Sequence, residues 1–199
     1  MPTCIDLFAG CGGLSLGLEA AGLSILFAVE GNASAFATYR HNLLDRQESN
    51  HDWPTWLSRK AWLAEDVLSN QAEELCSLRG KIDVVVGGPP CQGFSMNGKR
   101  RPDDPRSRMV DVYLHYVEIV RPRLVLLENV VGFRSMRHWS GRFYSDYVAD
   151  QLGKLGYDTW SDTLRAADWG VPQSRPRFLL VAAPKQSLRG IEPIQRMRV

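Results

Sequence analysis

Thr3-Cys4-Ile5-Asp6-Leu7-Phe8-Ala9-Gly10-Cys11-Gly12-Gly13-Leu14 decides the fold class. Thr3 to Phe8 is short, apolar and β-rich, which predicts a buried parallel strand. Ala9-Gly10-Cys11-Gly12-Gly13 predicts a tight turn, and Leu14, Leu16, Leu18 and Ala21 predict a helix behind it. Glycines let a backbone approach a ligand, and a helix N-terminus offers unpaired N–H groups, so the unit has the form of a nucleotide cradle. It is not the dehydrogenase fingerprint, because Ser15 stands where the third glycine of G-x-G-x-x-G belongs. Ser24-Ile25-Leu26-Phe27-Ala28-Val29-Glu30 predicts a second strand that ends in an acid. A carboxylate at that strand end can accept hydrogen bonds from both hydroxyls of a ribose.

Working outward, Ile82-Asp83-Val84-Val85-Val86 predicts a third buried strand, stopped by Gly87-Gly88-Pro89-Pro90 before Cys91. Proline fixes φ and withholds a donor, so the chain cannot stay in the sheet or enter a helix at once. The Cys91 thiol is therefore expected on a stiff turn at the carboxyl edge of a parallel sheet, where ligands gather in open α/β folds. Helices are predicted over Ala33–Leu44, Gln71–Leu78, Val110–Val120 and Phe143–Leu155, the last closed by Gly156. Leu124–Leu127 predicts a strand, and Tyr157–Leu164 with Phe178–Ala183 an antiparallel hairpin at a sheet edge. Residues 45–59 read as an irregular insertion whose Trp53 and Trp56 pack onto the body. Alternating strands and helices give an α/β, doubly wound, mostly parallel, Rossmann-like sheet.

The 199 residues are 44% hydrophobic and 23% charged with a formal charge of +2, which suits one soluble globular domain. Any affinity for nucleic acid must then be local to basic segments rather than global. Four cysteines form no C-x-x-C pair, which argues against a zinc site and a disulfide framework. The four histidines have no ligand spacing and read as structural or surface, so no metal is expected. A reactive thiol favours a reducing cytosol. Asp6 interrupts the N-terminal apolar stretch and no basic segment precedes it, so no signal peptide is expected; nor does any apolar run reach transmembrane length.

Six motifs in one order resemble the DNA (cytosine-5) methyltransferases, from Thr3 to about Ala183. Asp6-Leu7-Phe8-Ala9-Gly10-Cys11-Gly12-Gly13 resembles the family's cofactor loop, Glu30 its ribose acid, and Asp66 in Glu65-Asp66-Val67 its adenine contact. Pro89-Pro90-Cys91-Gln92 resembles the nucleophile motif, Glu128-Asn129-Val130 the acid motif, and Gln173-x-Arg175-x-Arg177 the arginine motif. The resemblance implies S-adenosylmethionine as cofactor, held by Asp6, Phe8, Gly10, Gly12, Gly13, Leu14, Glu30, Asp66, Val67 and Pro89. It implies Cys91 as nucleophile, Glu128 as the acid on the base, and Arg175 and Arg177 as groups that hold the base or brace its loop.

The same resemblance implies duplex DNA as partner, with the target base flipped out of the stack. Gln92, Ser95, Lys99, Arg100, Arg101, Arg106 and Gln173 are the expected DNA contacts, the basic ones clamping phosphates. Residues 1–185 are expected to form the catalytic domain and 186–199 a tail, or the start of a recognition domain. That recognition domain and the family's closing C-terminal elements are not found here. A fragment, a truncated gene, or one subunit of a split enzyme whose second chain carries them would each fit. A bacterial or phage-like, nucleoid-associated setting within a restriction-modification system is expected, with an inactive fragment or an RNA cytosine methyltransferase as alternatives.

Overall fold

A computed structural model describes residues 1–47, 49, 51–90, 108–185 and 187. Its six strands belong to one mixed sheet with helices around it, the α/β class expected. Two compact units make up the chain.

The first unit comprises Met1–Gly88 and His115–Arg123. Its strands are β1 (Thr3–Leu7), β2 (Ser24–Val29) and β3 (Val84–Gly87). β1 lies between the other two and is parallel to both, Cys4 pairing with Ile25 on one side and Val84 on the other. Cys4, Ile5, Asp6 and Leu7 are all buried, as expected of a strand covered on both faces. Four helices connect or follow these strands: α1 (Gly13–Ala20), α2 (Ala33–Tyr39), α3 (Ala64–Asn70) and α4 (Ala72–Ser77). The helix predicted over 33–44 is α-helical only to Tyr39, and Arg40–Leu44 continue as a π-helical turn. That wider turn buries Leu43 and Leu44. Asn32 caps α2 through its side-chain oxygen, which accepts from Ala35 N at 3.0 Å. As expected, the insertion packs inward. Trp53 meets Phe36 and Trp56 meets Phe27, both edge to face.

The second unit comprises Pro89–Leu114 and Leu124–Val199. It contains β4 (Leu124–Asn129), β5 (Tyr157–Arg165), β6 (Pro176–Pro184) and helix α6 (Tyr144–Lys154). Helix α5 (Met109–Val120) contributes its first half here and its second half to the first unit. β6 is antiparallel to both β4 and β5, so the expected hairpin is present. β4 runs two residues further than Leu127, which places Glu128 and Asn129 in the strand itself rather than after it. Gly156, at φ 91°, follows the last residues of α6 as expected. Among the described residues, no helix is long and apolar enough to cross a membrane.

Candidate active site

In the first unit the turn after β1 is held in unusual backbone geometry. Phe8 and Gly10 have φ of 59° and 57°, and Gly12 has 94°. A left-handed conformation is costly for a residue with a Cβ, so Phe8 is a strained position of the kind found at ligand clamps. A Cβ built on Gly12 would overlap the side chains of Leu43 and Tyr39, so only glycine lets this loop settle onto α2 and the turn after it. Among the described residues, a Cβ on Gly10 would meet nothing within 4 Å, so they leave this face of the loop open. Gly13 is exposed and Leu14 half-buried at the start of α1, whose N-cap Gly12 supplies no side-chain bond.

Glu30 ties the next turn to this loop. Gly10 N donates to its Oε2 at 2.8 Å and Asn32 N to its Oε1 at 2.7 Å. Each oxygen keeps capacity for a further donor, so the carboxylate is oriented without being saturated. Trp62 N donates to Glu30 O at 2.9 Å, which brings the start of α3 alongside. Leu63, 56% exposed, covers Gly31 so closely that a Cβ there would lie 2.9 Å from its Cδ2. Asp66 is exposed in the first turn of α3, while Val67 points into the core. Tyr116 OH donates to Ala64 O at 2.8 Å and fixes that helix start.

Asp6 is fully buried, so it underlies the loop rather than facing solvent. Its Oδ2 lies 2.6 Å from Ser15 Oγ, and its Oδ1 has no hydrogen-bond partner among the described residues. Burial pushes its carboxyl up to about 7, against the pull of the Ser15 hydroxyl and backbone N–H and with a push from Glu30.

The second unit carries the acid and the arginines. Glu128 on β4 and Arg177 on β6 are diagonal neighbours on one sheet face, since Glu128 pairs with Leu179. Arg177 Nε donates to Glu128 Oε1 at 2.6 Å, with both side chains partly buried. Burial raises the Glu128 carboxyl above its usual range, while the Arg177 and Arg175 charges and the Arg177 bond pull it down. The raised direction is the one expected for a group that donates a proton. Arg175 and Gln173 are exposed on the connection before β6. Gln173 O accepts from Ala167 N at 2.8 Å, which helps fold that connection.

Asn129 is the residue whose role the sequence did not reveal. Its buried Nδ2 donates to Pro89 O at 2.9 Å, and its Oδ1 accepts from Val130 N at 2.9 Å. The strand end carrying the acid thus clamps the proline turn that leads to the nucleophile motif. Pro89 is itself buried. Cys91, Gln92, Ser95, Lys99, Arg100, Arg101 and Arg106 lie outside the described residues, as does the 186–199 tail apart from residue 187. Among the described residues, no group of His, Cys, Asp and Glu could hold a metal.

A family model for C-5 cytosine-specific DNA methylases matches residues 2–198. The chain belongs to this family. It is 41% identical over 190 residues to the type II methyltransferase M.AgeI of Thalassovita gelatinovora, covering 95% of this chain and 41% of that one. It is 37% identical over 186 residues to M.AquIA of a Picosynechococcus strain, covering 89% of this chain and 70% of the relative. A solved structure of a candidate DNA modification methyltransferase encoded within an E. coli prophage superposes with a TM-score of 0.67 at 30% identity. That match covers 93% of this chain and 47% of the other. Against M.AgeI, M.DdeI, M1.HphI and M.XorII, the chain spans 39–45% of the relative's length.

The donor set fits the S-adenosylmethionine that methyltransferases of this family generally use. Glu30 presents two oriented oxygens with spare acceptor capacity, Gly10 leaves open space above the loop, and Asp66 offers an exposed carboxylate beside apolar Leu63.

Proposed function

We propose that this chain carries the catalytic half of a methyl transfer from S-adenosylmethionine to C5 of cytosine in duplex DNA. S-adenosylmethionine, when bound, supplies a methyl group made electrophilic by a sulfonium. Glu30 would hold its ribose, Asp66 its adenine, and the Phe8–Leu14 loop its remaining part.

C5 of cytosine is a poor nucleophile until a thiolate adds at C6 and converts the ring to an enamine, which is covalent catalysis by Cys91. Glu128 would meet N3 and the exocyclic amine and donate as charge builds on the ring. Arg177 occupies Oε1 and leaves Oε2 for the base, so Arg177 acts as a positioning residue for the acid. Arg175 would reach the base through O2. Water then removes the C5 proton, and the thiol leaves. The flipped base is reached at a cost of roughly a few kcal/mol in lost stacking. Gln92, Ser95, Gln173 and the basic residues Lys99, Arg100, Arg101 and Arg106 would hold the DNA.

The Glu128–Arg177 pair beside Asn129, with Asn129 clamping Pro89, is the observation that carries this reading. Target choice would come from residues or a second chain beyond these 199, in a bacterial restriction-modification setting. The test is transfer of labelled methyl to cytosine-rich duplex DNA and to transfer RNA, with Cys91→Ser and Glu128→Gln as comparisons. Label on C5 of duplex DNA, lost in Cys91→Ser and slowed about 10²–10⁴-fold in Glu128→Gln, supports the scheme. Transfer that survives Cys91→Ser, or that prefers RNA, overturns it.

A further inference from the structure

The cofactor loop rests on a row of buried polar groups that none of the motifs explains. Ser15 Oγ, 2.6 Å from Asp6 Oδ2, is also 3.0 Å from Tyr39 OH. Tyr39 OH is 2.6 Å from His51 Nε2. His51 Nδ1 lies 3.2 Å from both Ser49 Oγ and Glu19 Oε1, and Glu19 Oε2 takes Arg46. The row runs from the end of β1 through α1 and α2 to the segment before Trp53. The Tyr39 ring also lies directly beneath Gly12. The side chains of His51 and Glu19 are 1% and 5% exposed.

We infer that Ser15, Tyr39 and His51 are positioning residues for S-adenosylmethionine, wired in series with Asp6 as a single hydrogen-bond chain that holds the Phe8–Leu14 loop in its binding shape. The inference rests on the cofactor reading above.

The proton count sets the direction of the chain. Ser15 and Tyr39 have one hydroxyl proton each. If Asp6 is ionised, Ser15 donates to it, Tyr39 donates to Ser15, and His51 Nε2–H donates to Tyr39. His51 Nδ1 then either turns a bare lone pair toward Glu19 or takes a second proton. If Asp6 is protonated, every bond reverses. Asp6 donates to Ser15, Ser15 to Tyr39 and Tyr39 to His51 Nε2, while Nδ1–H faces Ser49 and Glu19. Every link from Asp6 to His51 then has its proton, and Glu19 at the far end pairs with Arg46 through Oε2. Protonation also leaves Asp6 Oδ1 as a neutral carbonyl rather than an unpartnered anion.

The surrounding charges favour the second arrangement. Burial and Glu30 raise the Asp6 carboxyl. Burial with Arg46 and Arg59 lowers the His51 ring to about 4, so it is neutral near pH 7. Burial above all opposes ionisation of Tyr39; the Ser15 bond pulls the other way, and Asp6, Glu19 and Cys4 add to the effect of burial.

The decisive experiment is calorimetric titration of the full chain with S-adenosylmethionine between pH 6 and 8.5, on wild type, Tyr39→Phe, Ser15→Ala and Asp6→Asn. Near-ultraviolet circular dichroism checks the fold of each. Tyr39→Phe and Ser15→Ala should raise Kd about 5- to 30-fold, the span of one lost buried hydrogen bond. Asp6→Asn keeps an N–H donor toward Ser15 but cannot ionise, so it holds the chain in one proton arrangement at every pH. The ratio of wild-type to Asp6→Asn Kd should climb as pH rises through 7, because only wild type can ionise there. That ratio cancels any titration of the ligand, and a merely structural role would leave it flat. Wild-type affinity in both Tyr39→Phe and Ser15→Ala, or a flat ratio, overturns the inference alone. Absence of binding by wild type overturns the cofactor reading and this inference with it.

Discussion

Replacing Asn129 tests the clamp on the nucleophile turn. Asn129→Ala removes the donor to Pro89 O and the acceptor of Val130 N, both at 2.9 Å. Pro89 O would be left buried without a partner, which costs about 1–3 kcal/mol, and the Val130 bond adds about 0.5–1.5 kcal/mol. Water reaching the more exposed Val130 N–H offsets part of the second loss, so a total of about 2–3 kcal/mol is expected. In a chain of this size each kcal/mol moves Tm by about 2–4 °C, giving a fall of about 4–12 °C. Asn129→Asp makes the sharper comparison. It keeps the acceptor for Val130 N but turns a carboxylate oxygen toward the Pro89 carbonyl, so repulsion replaces a bond. It should therefore be less stable than Asn129→Ala at pH 7, and regain ground at acid pH, where the carboxyl can donate. Urea unfolding at pH 7 and pH 5 measures both. Asn129→Asp as stable as wild type at pH 7 would refute the clamp.

Two further outcomes follow. Neutralising Lys99, Arg100, Arg101 and Arg106 should weaken DNA binding about equally across sequences and flatten its salt dependence by roughly 0.9 in log–log slope per lost phosphate contact. An unchanged slope in a filter-binding titration would remove the phosphate-clamp role. Stability against pH should separate Asp6 from His51. The folded state keeps the Asp6 proton between pH 3.8 and about 7 where the unfolded chain has released it, so this group's stabilisation is lost as pH rises through that window. The unfolded chain binds the His51 proton between about pH 4 and 6.5 where the folded state does not, so this group's effect has the opposite slope. The two nearly cancel in wild type. Asp6→Asn should leave stability falling as pH drops below 6.5, and His51→Gln should leave it rising as pH drops from 7. Parallel curves for the two variants would contradict the assignment.

Much of this was legible in the residues. The strand limits of β1 and β2 came within one residue, because unbroken apolar runs ended by glycine or acid admit few readings. Glu30 was placed by its position at a strand end, and two backbone N–H groups hold it there. Helix α3 is not predicted, because its acidic first turn, Glu65 and Asp66, reads as part of a motif. The π-helical turn at Arg40–Leu44 was read as plain helix, since a change of hydrogen-bond register leaves the side-chain pattern almost intact. Asn129 stood inside a motif that was read, but its partner is 40 residues away. His51 was read as structural or surface. Its bond to Tyr39 spans 12 residues, and Tyr39 reaches Ser15 across 24, separations that no local pattern encodes.

The parallel pairing of β1 also sets a timetable for the newborn chain. β1 is made ahead of β3, so one of its edges waits for β3, whose Val84 pairs with Cys4. At about 5–20 residues per second of synthesis, the intervening stretch takes roughly 4–16 s to emerge. Through that interval an apolar strand has an open edge, which is a template for joining a neighbouring copy. Ribosome-associated chaperones should therefore govern the soluble yield of this chain more than its final stability does, and slowing translation before residue 84 should lower that yield.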